Sequence, residues 1–292
     1  MDKCLTFVLS GGGARGALQA GALQALYECK LHPDLIVGTS VGGVNAAFLA
    51  IHGFNQDSLN RLKAAWLEAA AMDLMPSNYL WLTIRTLFNR DGGESYQRMR
   101  DFFISHGIHP GLRFGDVKGT KMILVSSDLN VGEVVLYGVD PDDSILEGLL
   151  ATTALPPWVR PIEINGRYLV DGGFISNLPI EPAVTQGATD IIALDLGDLR
   201  PENADGRGFG PFLAKVIQST AARQAKLELE IAAAQDVPVK LIKLIYGDQT
   251  PIWDFNHTVE LIQCGYEIAQ REMQEWRPKP AHKWPAWLPR WR

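Results

Sequence analysis

The sequence predicts an α/β fold: a largely parallel sheet covered by helices on both faces. Three observations predict it. Short apolar, β-rich runs alternate with longer runs of helical spacing. The first strand is apolar along its length, as a strand buried on both faces is. The first two strands each stop on a glycine-rich turn that leads directly into a helix.

Residues 3–10 contain "CLTFVLS", an apolar run ended by three glycines, and read as the first strand. "ARGALQAGALQALYEC" carries helical spacing up to the polar turn at His32-Pro33. A second strand at 35–37 leads to the corner at Ser40 and a helix through Ala50, followed by an amphipathic helix at 57–72. The segment 75–115, with "NYLWLTIRTLF" and the polar "NRDGGES", reads as irregular. Strands follow at 121–126 and 133–137, then a helix near 145–151. "VRPIEINGRYLVDGG" is a hairpin pattern turning on Asn165-Gly166. "DIIALDL" is a further strand, and the loop 197–211 after it is the best boundary. A long helix to about residue 234, a strand in 237–246 and a helix through Trp276 complete the pattern. The expected organisation is a main domain over 1–200 and an extension, 201–292, packed on the same domain.

Composition excludes several classes of function. A net charge of −6 is unsuited to a nucleic-acid surface. Cys4, Cys29 and Cys264 lack metal-ligand spacing and read as reduced thiols, which predicts a cytoplasmic location. "CLTFVLS" is short, has a single lysine before it and runs into glycines, so it reads as a strand and not as a signal-peptide core. No apolar run reaches the ~20 residues of a membrane-spanning helix. The "NADGRG" stretch has no ladder of oxygen ligands and reads as a solvated loop, not a calcium site.

Gly38-Thr39-Ser40-Val41-Gly42 fits G-x-S-x-G, the strand-turn-helix corner that lifts a nucleophilic serine above a sheet. The bland alternative is a serine that only caps a helix. Gly11-Gly12-Gly13-Ala14-Arg15-Gly16 fits G-x-G-x-x-G between the first strand and its helix. A dinucleotide site would want an acidic residue ending the second strand, and that strand ends in Gly-Thr-Ser instead. Backbone amides at a helix start also make an anion nest, which beside a corner serine is an oxyanion hole. Arg15 either adds charge to that nest or is a solvated helix-start residue. His52 reads as a helix-end residue, and no histidine sits in a motif. Two Asp-Gly-Gly stretches offer a base. Asp91 lies in a polar, turn-like loop, whereas Asp171 follows the apolar "RYLV", and a carboxylate at a strand end is the better candidate.

In order, the glycine loop 11–16, the corner 38–42 and Asp171-Gly172-Gly173 resemble the patatin-like phospholipases. "ATTALPP" at 151–157 is similar to that family's A-S-x-x-x-P stretch, with Thr152 where serine is usual, and Asn177 and Pro179 are placed as in the family. The resemblance covers roughly residues 5–200. It implies hydrolysis of lipid acyl esters by a Ser-Asp dyad, without metal or cofactor. Ser40 would be the nucleophile and Asp171 the base. Gly11, Gly12, Gly13 and Arg15 would form the oxyanion loop, with Gly12 and Gly13 the amide donors. An acyltransferase using the same dyad, and a nucleotide- or anion-binding regulatory module whose serine only caps, stand as alternatives. The last stretch, 276–292, holds Trp276, Trp284, Trp287 and Trp291 with five basic and no acidic residues. Four prolines rule out a regular helix there. It reads either as a tail packed on the domain or as an interfacial anchor for peripheral contact with anionic lipid.

Overall fold

Phe7, Val8 and Leu9 are all wholly buried, so β1 (Leu5–Leu9) has no solvent face and lies inside a sheet. The computed structural model describes residues 3–72, 93–156, 158–200, 209–247 and 250–275. The other described strands are β2 (Leu35–Thr39), β3 (Lys121–Asp128), β4 (Glu133–Tyr137), β5 (Ile162–Ile164), β6 (Arg167–Asp171), β7 (Asp190–Asp195) and β8 (Val239–Lys243). They run in the order β5-β6-β3-β2-β1-β7-β8, with β4 paired to β3 outside that path. The pairings β3-β2, β2-β1, β1-β7 and β7-β8 are parallel. Those of β3 with β4 and β6, and of β5 with β6, are antiparallel. The β5–β6 turn places Asn165 and Gly166 at φ 52° and 76°, the left-handed pair a two-residue hairpin requires.

Alternation along the central strands divides the core between two helical layers. Phe7, Leu9, Ile36 and Leu194 face α1 (Gly16–Glu28), α2 (Val41–His52), α3 (Gln56–Ala71) and α8 (Thr258–Glu275). Val8, Val37, Val125 and Ala193 face α6 (Ile180–Thr185) and α7 (Phe209–Ala234). Two further helices, α4 (Gly93–Ser105) and α5 (Ile145–Thr152), close the first layer over β3 through Phe102, Phe103, Leu149 and Leu124.

The segment expected to be irregular therefore contains a helix. Tyr96, Met99, Phe102 and Phe103 recur at three- and four-residue spacing, and tertiary burial of that stripe outweighs the poor propensity of its glycine start. Asp91 and residues 276–292 lie outside the described residues.

α1 and α8 pack without side chains between their backbones. A Cβ on Gly21 would land on the Ile262 carbonyl, and one on Gly265 on the Leu18 carbonyl. This close crossing seats α8 on the layer that carries the glycine loop. Gly265→Leu is expected to cost ~1–3 kcal/mol by overpacking. Thermal melts followed by circular dichroism would then show a midpoint lower by about 2–10 °C.

Candidate active site

β2 ends at Thr39, and the chain turns within one residue into α2. Ser40 absorbs that turn at φ 55°, ψ −126°, a left-handed conformation costly for a residue with a Cβ. The turn is tight because the start of α2 presses on β1: a Cβ on Gly42 would strike the Leu9 carbonyl. Hydrogen bonds hold the strained corner from both sides. Thr39 Oγ1 donates to the Ser176 carbonyl at 2.7 Å, and the Ser40 N–H donates to Thr152 Oγ1 at 2.8 Å. Thr152 Oγ1 in turn donates to the Val125 carbonyl, tying the corner to β3. Thr152, where the sequence resemblance expects a serine, thus keeps the hydroxyl this link uses.

Asp171 reaches Ser40 through a register effect. Thr39 is level with Val125, and β3 continues for three residues beyond it. β6 runs the opposite way and meets β3 only at that overhang, Leu169 with Asp128 and Asp171 with Ser126. Its last residue therefore stops at the carboxyl edge of the parallel strands, beside Ser40. Ser40 Oγ donates to Asp171 Oδ2 at 2.5 Å, and the Gly173 N–H donates to Oδ1 at 2.8 Å. Asp171 is only 3% exposed. Burial pushes its carboxyl up to about 6, against the opposing pull of the bonds from Ser40 and Gly173.

The glycine loop is held from three directions. The Gly11 N–H donates to the Asn177 carbonyl at 3.0 Å, and the Ala14 N–H to the Ile252 carbonyl at 2.7 Å. Gln19 Nε2 reaches the Ser10 carbonyl at 2.9 Å. The Gly11 amide is thus committed to the scaffold. Arg15 turns its own amide and its Nε toward the Gly12 carbonyl, at 3.3 and 3.4 Å, and its guanidinium lies in the field of Asp198 and Asp195. Between these anchors lie the amides of Gly12 and Gly13, and Gly13 lines a cavity together with Ser40 and Asp171.

That cavity has a volume of about 120 Å³. It runs from Ser40 between α2, α3 and α4, and Phe48, Trp66, Phe102, Trp158 and Phe255 are among its walls. No histidine bonds to Ser40 among the described residues. His106 lines the cavity but bonds through Nδ1 to the Phe102 carbonyl at 2.8 Å, and His52 ends α2 with Nε2 on the His106 carbonyl at 3.1 Å. His257 Nε2 lies 3.9 Å from Asp254 Oδ2, and its ring is tilted toward that of Tyr246.

Sequence reasoning missed Glu228. It sits on α7, 6% exposed, where Oε1 accepts from Ser176 Oγ at 2.5 Å and Oε2 from the Glu181 N–H at 3.0 Å. Burial raises its carboxyl to about 7 against those bonds. Glu228 anchors the segment 172–177, which receives Thr39 on one side and Gly11 on the other. The one signal in the sequence was a glutamate within the apolar stripe of Ala225, Leu229 and Ala232.

A family model described as patatin-like phospholipase matches residues 7–184. The chain is 30% identical over 199 residues to patatin-like phospholipase domain-containing protein 7 of Mus musculus, covering 67% of this chain and 14% of that protein. It is 28% identical over 203 residues to lysophospholipase NTE1 of Candida glabrata, covering 68% of this chain and 11% of that one. The chain thus spans about a seventh or less of the length of these relatives. Among solved structures, VipD from Legionella pneumophila is similar with a TM-score of 0.47 and 14% identity, over 94% of this chain and 67% of that one.

The raised Asp171 carboxyl links the site to stability. Its folded value of about 6 exceeds the ordinary 3.8, so the folded protein holds the proton more tightly than the unfolded chain. The stabilising contribution is full below the unfolded value and is lost as pH rises through about 6. At about pH 8 the ionised group costs ~3 kcal/mol relative to a neutral one. Asp171→Asn, isosteric and uncharged, is therefore expected to raise the thermal midpoint at about pH 8 and to raise it much less at about pH 4.5. Melts of both proteins at the two pH values check this.

Proposed function

Because the chain belongs to the patatin-like phospholipase family, we propose that it is a lipid acyl hydrolase working through Ser40 and Asp171. The observation that carries this reading is the 2.5 Å Ser40–Asp171 hydrogen bond at the head of an apolar cavity. A short bond from a hydroxyl to a carboxylate marks a charge-assisted contact. A carboxylate raised toward 6 is a stronger base than an ordinary aspartate and is still largely ionised at neutral pH.

Ser40 Oγ attacks the acyl carbonyl of the ester as its proton passes to Asp171. The carbonyl oxygen becomes an oxyanion, stabilised by the Gly12 and Gly13 amides and by the N-terminal dipole of α2. Gly11 and Arg15 serve by holding that loop in place. Collapse of the intermediate breaks the ester C–O bond, and Asp171 returns the proton to the departing alcohol. Water, giving its proton to Asp171, then attacks the acyl-Ser40 ester; the acyl C–Oγ bond breaks, Asp171 returns the proton to Ser40 Oγ, and the fatty acid is released. The apolar walls suit an acyl chain and not a polar acyl group.

Ser40→Ala is expected to abolish labelling by a fluorophosphonate and to reduce turnover of p-nitrophenyl esters by at least about a thousandfold. Asp171→Asn is expected to cost about 10²–10⁴-fold in kcat. A folded Ser40→Ala protein with wild-type turnover overturns the assignment. Assaying products with and without an added acceptor alcohol separates hydrolysis from acyl transfer.

No described helix is long and apolar enough to cross a membrane. We assign contact with lipid surfaces to the tryptophan- and arginine-rich stretch 276–292. Deleting residues 278–292 is expected to weaken co-sedimentation with anionic vesicles, most strongly at low salt. Turnover of a soluble ester should change less.

A further inference from the structure

The family match ends at residue 184, yet one wall of the cavity comes from the connection between β8 and α8. Within residues 251–255 three side chains or carbonyls meet the site. The Ile252 carbonyl accepts the Ala14 N–H of the glycine loop at 2.7 Å. Trp253 stacks on the cavity residue Trp158, with ring centroids 6.1 Å apart and planes at 26°. Phe255 lines the cavity itself and stacks on Trp66, 6.2 Å and 28°.

The two stacked walls are not equivalent. Trp66 is buried, and its Nε1 donates to Asn45 Oδ1 at 2.9 Å; Asn45 in turn bonds to the Gly16 carbonyl and to Gln19. Altering Trp66 would unpair a buried polar network. The Phe255 ring is only partly buried and is held by packing, against the clusters on both sides of the cavity. It fills the seam where the α1–α2–α3 cluster meets the α4–α5 cluster. The volume of its ring is therefore volume withheld from the cavity.

Resting on the acyl-hydrolase reading, we propose that Phe255 is the specificity-determining residue for acyl-chain length, carried into the site by the segment 251–255 that the glycine loop bonds to. Shrinking the ring lengthens the chain the cavity accepts; enlarging it shortens that chain. Ser40, Asp171 and the amides of the glycine loop are untouched by either change, because the tie to that loop runs through the Ile252 backbone.

The test compares full-length wild-type protein with Phe255→Ala and Phe255→Trp, each checked by thermal melt and by fluorophosphonate labelling of Ser40. The readout is the ratio of kcat/KM for p-nitrophenyl dodecanoate to that for the butyrate. Phe255→Ala is expected to raise this ratio about tenfold, and Phe255→Trp to lower it, the scale on which apolar pockets discriminate methylenes. A ratio unchanged in both variants, or moved the same way in both, overturns the proposal while leaving the hydrolase reading intact. Should either substitution unfold the chain, Phe255→Leu and Phe255→Tyr supply the same opposed pair. Wild-type protein that turns over neither ester fails the hydrolase reading instead. Calorimetric binding of butyric and dodecanoic acids to the three proteins then tests the role of Phe255 directly. The same opposed shifts are expected there, and equal affinities in all three proteins overturn it.

Discussion

A buried carboxylate must be held within hydrogen-bond reach of a serine that itself sits in a strained backbone conformation. The whole carboxyl edge of the sheet is organised around that contact. The parallel strands β1 and β2 bring the glycine loop and Ser40 to that edge, and the remaining problem is to bring the carboxylate level with Ser40. The three residues by which β3 outruns β2 solve the problem. They give an antiparallel strand a place to pair, and that strand delivers Asp171 at the level of Ser40. A slip of β6 by one residue against β3 would flip the side-chain alternation of β6, turning Asp171 to the other face.

Neither member of the pair is comfortable where it lies. Ser40 bears a left-handed φ, and Asp171 loses most of its hydration. Such costs persist only where surrounding structure overdetermines the geometry. Here the segment 172–177 does so. It bonds to the serine corner through Thr39, to the glycine loop through Gly11 and to the long helix α7 through Glu228. In the layer on the other side, the glycine crossing of α1 and α8 brings their two backbones together without an intervening side chain and so holds the glycine-loop helix in place. The C-terminal residues are in this sense part of the site. β8 extends the sheet beside β7, and the connection after it supplies both a backbone acceptor and a cavity wall.

How much of this was legible depended on how local its causes are. The first two strands, the serine corner and the Asn165-Gly166 hairpin are written in runs of a few residues, because glycine and asparagine mark the turns directly. Asp171 was distinguishable from Asp91 because an apolar strand precedes it. α4 was harder to read: its start, Gly-Glu-Ser, is a poor helix start, and its short apolar stripe is stabilised by burial of Phe102 and Phe103 in the cluster shared with α5. Glu228, Ile252 and Phe255 act on residues distant in the chain, and no spacing in the sequence encodes those meetings. The glycine loop was legible as a motif. Which of its amides are spent on the scaffold was not, since that depends on Asn177 and Ile252.

In the proposed mechanism Asp171, raised by burial, is the group that takes the proton of Ser40. The rate at which a fluorophosphonate modifies Ser40, followed across pH by mass spectrometry, tests this step without recourse to a lipid substrate. The mechanism predicts a rate that rises with pH through a midpoint of about 6 and falls to a pH-independent remnant in Asp171→Asn. A midpoint near the ordinary carboxylate value of ~4, or an Asp171→Asn protein modified at the wild-type rate, would contradict it.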